Sequence, residues 1–208
     1  MSKSHIILVG IVSLVIFAIT AGLVITTNSW FFDDPIRFWV YSKRNSCLNS
    51  ILIPITYMGN WQTITSLIVL LVVIPKTRKN IGLPMAATSV CSLIIYKIAK
   101  SLIARPRPDL MYRLITQGGY SFPSGHSMNG LVCYGILIYL IYKTYGKNKK
   151  TTIISWILGI LIVLIGLSRV YVGVHFPTDI IGGWSFGAFV LCGAILTMER
   201  FEEKGRLK

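Results

Sequence analysis

The chain has 208 residues and a formal net charge of +14, with 53% hydrophobic and 13% charged residues and a mean hydropathy of +0.66. A soluble globular domain carries about a quarter charged residues, so this composition excludes an ordinary soluble domain and indicates a membrane protein. The basic residues lie in short clusters between long apolar runs. That distribution argues against nucleic-acid binding and is typical of cytoplasmic loops beside anionic lipid headgroups.

The first apolar run covers roughly residues 5–27, which is enough for one membrane-spanning helix of about 20 residues. A cleaved signal peptide is the alternative. The run is longer than a typical signal core, however, and no clear small-residue cleavage site precedes Asn28. We therefore expect this segment to remain as the first span.

Residues 28–59 follow the first span and differ from it in composition. Residues 28–46 mix aromatic side chains with charges, a pattern typical of an amphipathic element at the level of the lipid headgroups. The next stretch, 48–59, is apolar but interrupted by Pro54 and Gly59. It either lies along the membrane interface or lengthens the second span.

Five further apolar runs complete the expected membrane domain. They cover roughly residues 60–75, 81–103, 124–142, 152–172 and 180–198. We therefore predict an all-α, polytopic protein in which one membrane-embedded domain occupies residues 1–208 and six helices cross the bilayer.

The basic clusters predict the orientation of this domain. With six spans both termini lie on one side of the membrane, and the clusters at 76–79, 143–150 and 200–208 lie on that side. Because cytoplasmic loops carry an excess of Lys and Arg, we expect both termini in the cytoplasm of a multi-pass cell-membrane protein. The outer segments are then 28–59, 104–123 and 173–179.

The third span ends in a polar cluster that runs from Lys100 to Asp109. Lys100 and Arg107 are seven residues apart, close to two helical turns, although Pro106 ends the helix near Ala104. Taken alone, the cluster fits either a basic helix end with snorkelling side chains or a phosphate-binding group.

The fourth span opens with a second cluster, Pro123-Ser124-Gly125-His126. Ser124 is a good N-cap, and the small residues leave backbone N–H groups open at the positive end of the helix dipole. Such a helix start can bind an anion within reach of His126. A capped helix with an interfacial histidine is the alternative.

A third cluster links the fifth and sixth spans and contains Arg169, His175 and Asp179. His175 and Asp179 are four residues apart, so one helical turn would place both on one face. A carboxylate bonded to one imidazole nitrogen makes the other a better nucleophile, and a guanidinium suits phosphate oxygens. A structural His–Asp pair is the alternative.

The three clusters lie on one predicted side and supply complementary parts of a phosphate-transfer site. Positive charge would come from Lys100, Arg107 and Arg169, and backbone amides from Ser124 and Gly125. His175 would attack the phosphorus and His126 would protonate the leaving oxygen. The outer loop adds residues that could contact a headgroup or be simply solvated, namely Arg105, Asp109, Tyr112, Arg113 and Gln117.

The four cysteines show no paired spacing; they are Cys47, Cys91, Cys133 and Cys192. The last three fall inside apolar runs, where cysteine behaves as a small hydrophobe. We therefore expect neither a disulfide framework nor a metal site built on cysteine.

Together the three clusters resemble the signature of the type 2 phosphatidic acid phosphatase family. The signature is Lys, six residues, Arg-Pro; then Pro-Ser-Gly-His; then Ser-Arg, five residues, His, three residues, Asp. It is present without departure as Lys100…Arg107-Pro108, Pro123-Ser124-Gly125-His126 and Ser168-Arg169…His175…Asp179. The fit is best to small bacterial members that act on phosphatidylglycerophosphate or undecaprenyl diphosphate.

The resemblance implies a lipid phosphatase that needs no metal or other cofactor and works in two steps. His175, supported by Asp179, would form a phosphohistidine, and His126 would change from acid to base as water hydrolyses it. We expect a membrane lipid as substrate, in the order undecaprenyl diphosphate, phosphatidylglycerophosphate, phosphatidic acid. A lipid phosphotransferase and a non-enzymatic relative remain as alternatives, and the sequence leaves the oligomeric state open.

Overall fold

The computed structural model describes residues 2–206, and within that range the chain is helical with no β-strand. The prediction of an all-α protein is therefore confirmed. In chain order the helices are α1 (Lys3–Thr27), α2 (Asp33–Ser42), α3 (Ser46–Tyr57), α4 (Trp61–Val73), the single turn α5 (Pro75–Thr77), α6 (Leu83–Ile103), α7 (Gly125–Tyr145), α8 (Lys149–Tyr171) and α9 (Pro177–Arg206).

Four segments are long and apolar enough to cross a membrane: α1, the stretch from Pro75 through α6, α8 and α9. Helices α3 and α4 meet the same criterion only as a pair, which bends by 55° at the break between them. Their geometry fits either a broken span or a re-entrant loop. The described residues thus contain four or five apolar spans, and the count of six stays a prediction.

Helix α7 occupies the centre of the fold, where it packs against α6, α8 and α9. Its inward residues Cys133, Ile136 and Leu140 form a buried cluster with Ile64 of α4 and Met85 of α6. In a membrane bundle, polar side chains are tolerated on a helix that faces other helices rather than lipid. This explains why α7, although it has 21 residues, is not among the segments that meet the span criterion by themselves.

The peripheral helices expose apolar side chains. On α1, for example, Leu8, Ile11 and Val15 are each about half exposed or more. Such surface would be unfavourable in water but is expected where lipid covers it. Helix α1 packs closely along α9, and a Cβ added at Gly10 would lie 3.3 Å from the Cβ of Cys192.

Three helix ends bring the polar clusters to one end of the bundle. Helix α6 ends at Ile103, because Ala104 adopts a left-handed conformation at φ 49° just before Pro106. Helix α7 begins after Ser124, whose hydroxyl accepts a hydrogen bond from the Ser127 amide. Helix α9 begins at Pro177, a residue whose fixed φ suits the first position of a helix.

Candidate active site

A cavity of about 620 Å³ between α4, α6 and α7 contains residues from all the polar clusters or from their direct partners. Its lining includes Arg107, Gly125, His126 and His175. Residues far apart in the chain therefore face one space: Arg107 and His175, for example, are 68 positions apart. Only the packing of the helices brings them together.

His175 lies in the turn before α9, where it is 1% exposed. Its Nδ1 is 3.1 Å from Oδ2 of Asp179, and the same oxygen accepts a hydrogen bond from the Phe176 amide at 2.8 Å. A carboxylate at the third helical position that bonds the amide before the helix is half of a capping box. The predicted His175–Asp179 contact is present, but the start of α9, rather than one helical turn containing both residues, positions it.

The hydrogen bonds of His175 define its tautomer. Arg107 approaches with Nη1 3.0 Å from Nε2 of His175, and a guanidinium can only donate. Nε2 therefore accepts, while Nδ1 carries the proton and donates to Asp179. This arrangement leaves the lone pair on the nitrogen that faces the cavity, as a nucleophile requires.

Burial keeps His175 neutral in this arrangement. Desolvation lowers the pKa of its imidazole well below the ordinary value, and the positive charges of Arg107, Arg169 and Lys100 lower that pKa further. Burial also lowers the pKa of Arg107, to about 10. Because this value is still well above 7, the guanidinium carries a positive charge at neutral pH.

Three cations in or beside the cavity wall donate to neutral oxygens. Lys100 donates to the Pro123 carbonyl at 3.3 Å, and Arg107 donates to the Val174 carbonyl at 2.8 Å. Arg169 is completely buried and donates to Thr56 at 2.7 Å and Gln117 at 2.8 Å. Within residues 2–206 none of the three forms an ion pair with a carboxylate. Their charge is therefore uncompensated in a largely buried place, which favours an anion there.

The start of α7 adds unpaired backbone donors. The amide of Ser124 donates to the Asp179 carbonyl at 3.0 Å, so it is not free for an anion as the sequence analysis expected. The next two amides, of Gly125 and His126, have no acceptor among the described residues. A Cβ on Gly125 would lie 2.5 Å from the hydroxyl of Tyr96, so glycine is required for this close packing.

Asn60 is a site residue that no sequence pattern predicted. Its Oδ1 lies 2.5 Å from Nε2 of His126, so this nitrogen of the imidazole carries a proton and donates. Asn60 precedes α4 at the N-cap position, yet its side chain makes no capping hydrogen bond. An asparagine before an apolar helix ordinarily signals a cap, and the sequence contains no further indication of the contact with His126.

Arg105 is neither a solvated loop residue nor a free headgroup ligand. It is 2% exposed, and its Nη1 donates to Asp179 Oδ1 at 2.6 Å while its Nη2 donates to Asp33 Oδ2 at 2.8 Å. Thr178 bonds both Arg105 and Asp33, and Ser121 bonds the second oxygen of Asp179. The carboxylate beside His175 is thus held on both oxygens and tied to the start of α2.

The other outer-loop residues have different places. Gln117 lines the cavity and accepts from Arg169. Arg113 donates to the carbonyls of Pro108 and Gln117 and so braces the loop. The carbonyl of Tyr112 accepts from Arg44 at 2.8 Å. Asp109 is exposed and makes no side-chain hydrogen bond within the described part of the chain.

The sequence of this chain matches a known protein family. The PAP2 superfamily matches residues 81–203. Phosphatidylglycerophosphatase B of Bacillus subtilis is 35% identical over 204 residues, covering 93% of this chain and 98% of the relative. An undecaprenyl-diphosphatase of Sulfolobus acidocaldarius is 33% identical over 152 residues, covering 69% of this chain and 67% of the relative.

A solved structure shares the fold. The crystal structure of a transmembrane PAP2-type phosphatidylglycerolphosphate phosphatase from Bacillus subtilis superposes with a TM-score of 0.82 at 32% identity. The match covers 94% of this chain and 96% of that one. The helical arrangement described above is therefore a membrane PAP2 fold.

Proposed function

Because the chain belongs to the PAP2 superfamily, whose phosphatases hydrolyse phosphate esters, we propose that it removes phosphate from a membrane lipid through a phosphohistidine on His175. One observation carries the proposal. The unprotonated Nε2 of a buried imidazole faces a cavity, and within residues 2–206 neither Arg107 in its wall nor the nearby Lys100 and Arg169 has a carboxylate partner. That combination suits an incoming phosphate and a nucleophile directed at it.

The first step forms the covalent intermediate. A phosphate bound in the cavity draws Arg107 from Nε2 of His175 to its own oxygens, together with Lys100 and Arg169. Nε2 then attacks phosphorus, the phosphorus–oxygen bond to the lipid breaks, and its electron pair stays on the lipid oxygen. His126, as imidazolium, gives a proton to that oxygen and becomes neutral, and Asp179 stabilises the charge on His175.

The second step regenerates the enzyme. Water attacks the phosphorus of the phosphohistidine, and His126 takes a proton from that water. The nitrogen–phosphorus bond breaks, its electron pair returns to Nε2 of His175, and inorganic phosphate leaves. The amides of Gly125 and His126 are placed to bind the phosphate oxygens in both steps.

We infer six spans, with the α3–α4 pair as the second and α7 as the fourth, both termini in the cytoplasm and the site on the outer face. Lys3 pairs with Glu203, so the start of α1 lies beside the last turns of α9. Lys143 pairs with Glu202 at 2.5 Å near the same end. This end of the bundle lies opposite the end that holds His126 and His175. It carries the basic residues expected in the cytoplasm, where anionic headgroups would bind them.

The lipid tail would occupy the part of the cavity farther from the histidines. Apolar side chains line it there, among them Ile64 and Ile68 of α4 and Val90 and Leu93 of α6. We propose phosphatidylglycerophosphate as the first substrate, with undecaprenyl diphosphate second. Similarity over nearly the whole length to phosphatidylglycerophosphatase B supports this order over the one expected from the sequence motifs.

A lipid panel tests this function. Purified protein is given phosphatidylglycerophosphate, undecaprenyl diphosphate and phosphatidic acid at matched detergent ratio, and released phosphate is measured. The fastest release is expected from phosphatidylglycerophosphate. Absence of release from all three would refute a lipid phosphatase. Transfer of labelled phosphate to an added lipid or sugar alcohol, in place of release, would identify a phosphotransferase.

A further inference from the structure

Farther along α6 and α7 from the histidines, the cavity wall contains a small polar group, here called the polar step and made of Ser89, Ser92 and Asn129. Ser92 donates from its hydroxyl to Oδ1 of Asn129 at 2.9 Å, which links α6 to α7. The reaction proposed above uses none of the three side chains.

Two hydrogen-bond donors of the polar step have no acceptor within the described part of the chain. Nδ2 of Asn129 has no acceptor among residues 2–206, and the Ser89 hydroxyl is buried without a partner within the same range. A helical hydroxyl commonly bonds the carbonyl four residues back, as Thr88 does with Pro84 on the same helix. Ser89 does not. In a membrane, where no water satisfies polar groups, unpaired donors in an apolar cavity are costly unless a ligand accepts from them.

The depth of the polar step matches a particular part of a lipid. Asn129 follows Gly125 by one helical turn, so it lies about 6 Å further along the axis of α7 from the amides proposed to bind phosphate. In a phosphoglyceride, the ester carbonyls of the acyl chains are separated from the phosphorus by only a few bonds. In a prenyl phosphate the same depth is filled by hydrocarbon, which offers no acceptor.

We propose that the polar step binds the ester carbonyls of a diacylglycerol-based lipid phosphate, and thereby selects such lipids over prenyl monophosphates. Nδ2 of Asn129 donates to one carbonyl and the Ser89 hydroxyl to a second. A prenyl chain at this place leaves both donors unpaired, which weakens its binding. The inference rests on the proposed function and names the substrate class of that site.

The decisive experiment compares two lipids that differ only in these carbonyls. Diacyl phosphatidic acid and its dialkyl ether analogue, of equal chain length, are assayed with the full-length protein for phosphate release. We expect kcat/KM to be about tenfold higher for the diacyl lipid, since one or two hydrogen bonds are at stake. Equal values for the two lipids in the unmodified protein would overturn the inference and leave the phosphatase proposal intact.

Variants of single residues test whether the preference for the diacyl lipid comes from the polar step. Asn129→Leu should remove the preference, so that the diacyl lipid is cleaved about as slowly as the dialkyl lipid. Ser89→Ala should reduce the preference in part. Thr88→Val is the matched control, because the Thr88 hydroxyl lies on the same helix but lines a different groove. It should keep the full preference, and an equal loss in Thr88→Val and Ser89→Ala would argue against the polar step.

The comparison also separates the two proposals. If neither the diacyl nor the dialkyl lipid is cleaved, and the prenyl lipid is not cleaved either, the proposed phosphatase function fails. If a long-chain prenyl phosphate is cleaved faster than the diacyl lipid, selection by the polar step fails while phosphatase activity stands. Because the unmodified protein gives these answers, a variant that folds poorly does not alter them.

Discussion

Arg107 donates to Nε2 of His175 across 3.0 Å, so the side chain expected to bind phosphate occupies the approach to the nucleophile. The contact keeps the imidazole in the reactive tautomer before substrate arrives. A phosphate that recruits Arg107 would at the same moment uncover Nε2. Binding and activation are therefore linked through one hydrogen bond.

This link predicts that a phosphate analogue stabilises the protein through Arg107. Orthovanadate at a concentration about 100 times its Kd should add about 2.7 kcal/mol to the free energy of unfolding, visible as a raised Tm. Arg107→Gln should lose most of that increment. Arg78→Gln is the control, since Arg78 bonds the Val72 carbonyl away from the cavity. An equal vanadate shift in both variants would contradict an anion site at Arg107.

A change in the leaving group of the substrate should distinguish the roles of His126 and His175. His126→Ala should lower phosphate release from a lipid by roughly 10²–10⁴, because no acid protonates the lipid oxygen. An aryl phosphate has a good leaving group and needs no such acid. In this variant the first step should then proceed while hydrolysis stalls, so labelled phosphohistidine accumulates.

The His175→Ala variant tests which residue carries the covalent intermediate. His175→Ala should abolish release by roughly a thousandfold or more and give no labelled protein with either substrate. Labelling is measured by mass spectrometry at neutral or alkaline pH, where phosphohistidine survives. Labelled protein in His175→Ala would show that a different residue is the nucleophile.

The lowered pKa of His175 predicts how stability depends on pH. In the unfolded chain a histidine takes up a proton below about pH 6.5, whereas the folded protein holds His175 neutral to lower pH. The unfolded state therefore binds more protons in this window. The contribution of His175 to stability is fully present above about pH 6.5 and decreases as the pH falls below it.

Thermal unfolding from pH 7.5 to pH 5 checks this dependence. The Tm of the substrate-free protein should fall more steeply below pH 6.5 than that of His175→Gln, which has no imidazole to protonate. Parallel curves for the two proteins would mean that His175 does not titrate differently on unfolding.

Two adjacent aspartates should differ sharply in their contribution to stability. Asp33 is fully buried and pairs with Arg105, while the neighbouring Asp34 pairs with Arg37 and has a side chain 56% exposed. Breaking one partner of a buried ion pair costs about 3–5 kcal/mol, and an exposed pair contributes about 0–1 kcal/mol. Asp33→Asn, which keeps the shape, should approach the lower end of the first range, and Asp34→Asn should lie within the second.

Denaturant unfolding measures both aspartate variants, and activity should follow the same order, because Asp33 holds Arg105 and Arg105 holds Asp179. Equal losses of stability in Asp33→Asn and Asp34→Asn would contradict a structural role for the buried pair.

Local signals in the sequence predicted much of this molecule correctly. Long apolar runs indicated membrane helices, since hydrocarbon admits few other structures. Pro106 predicted the end of α6 near Ala104, and Ser124 predicted the start of α7. The short spacing of His175 and Asp179 predicted their contact, because four residues of chain cannot separate them far.

Long-range packing decided the rest. Arg105 and Asp33 are 72 residues apart, and nothing in either segment indicates that they form a buried pair. The same holds for Asn60 and His126, and for the Ser124 amide, which the Asp179 carbonyl occupies. Residue types and local spacing determine which helices form and which side chains stand at their ends. Which donor meets which acceptor depends on how the helices pack, because each buried polar group bonds whatever partner the tertiary structure brings within reach.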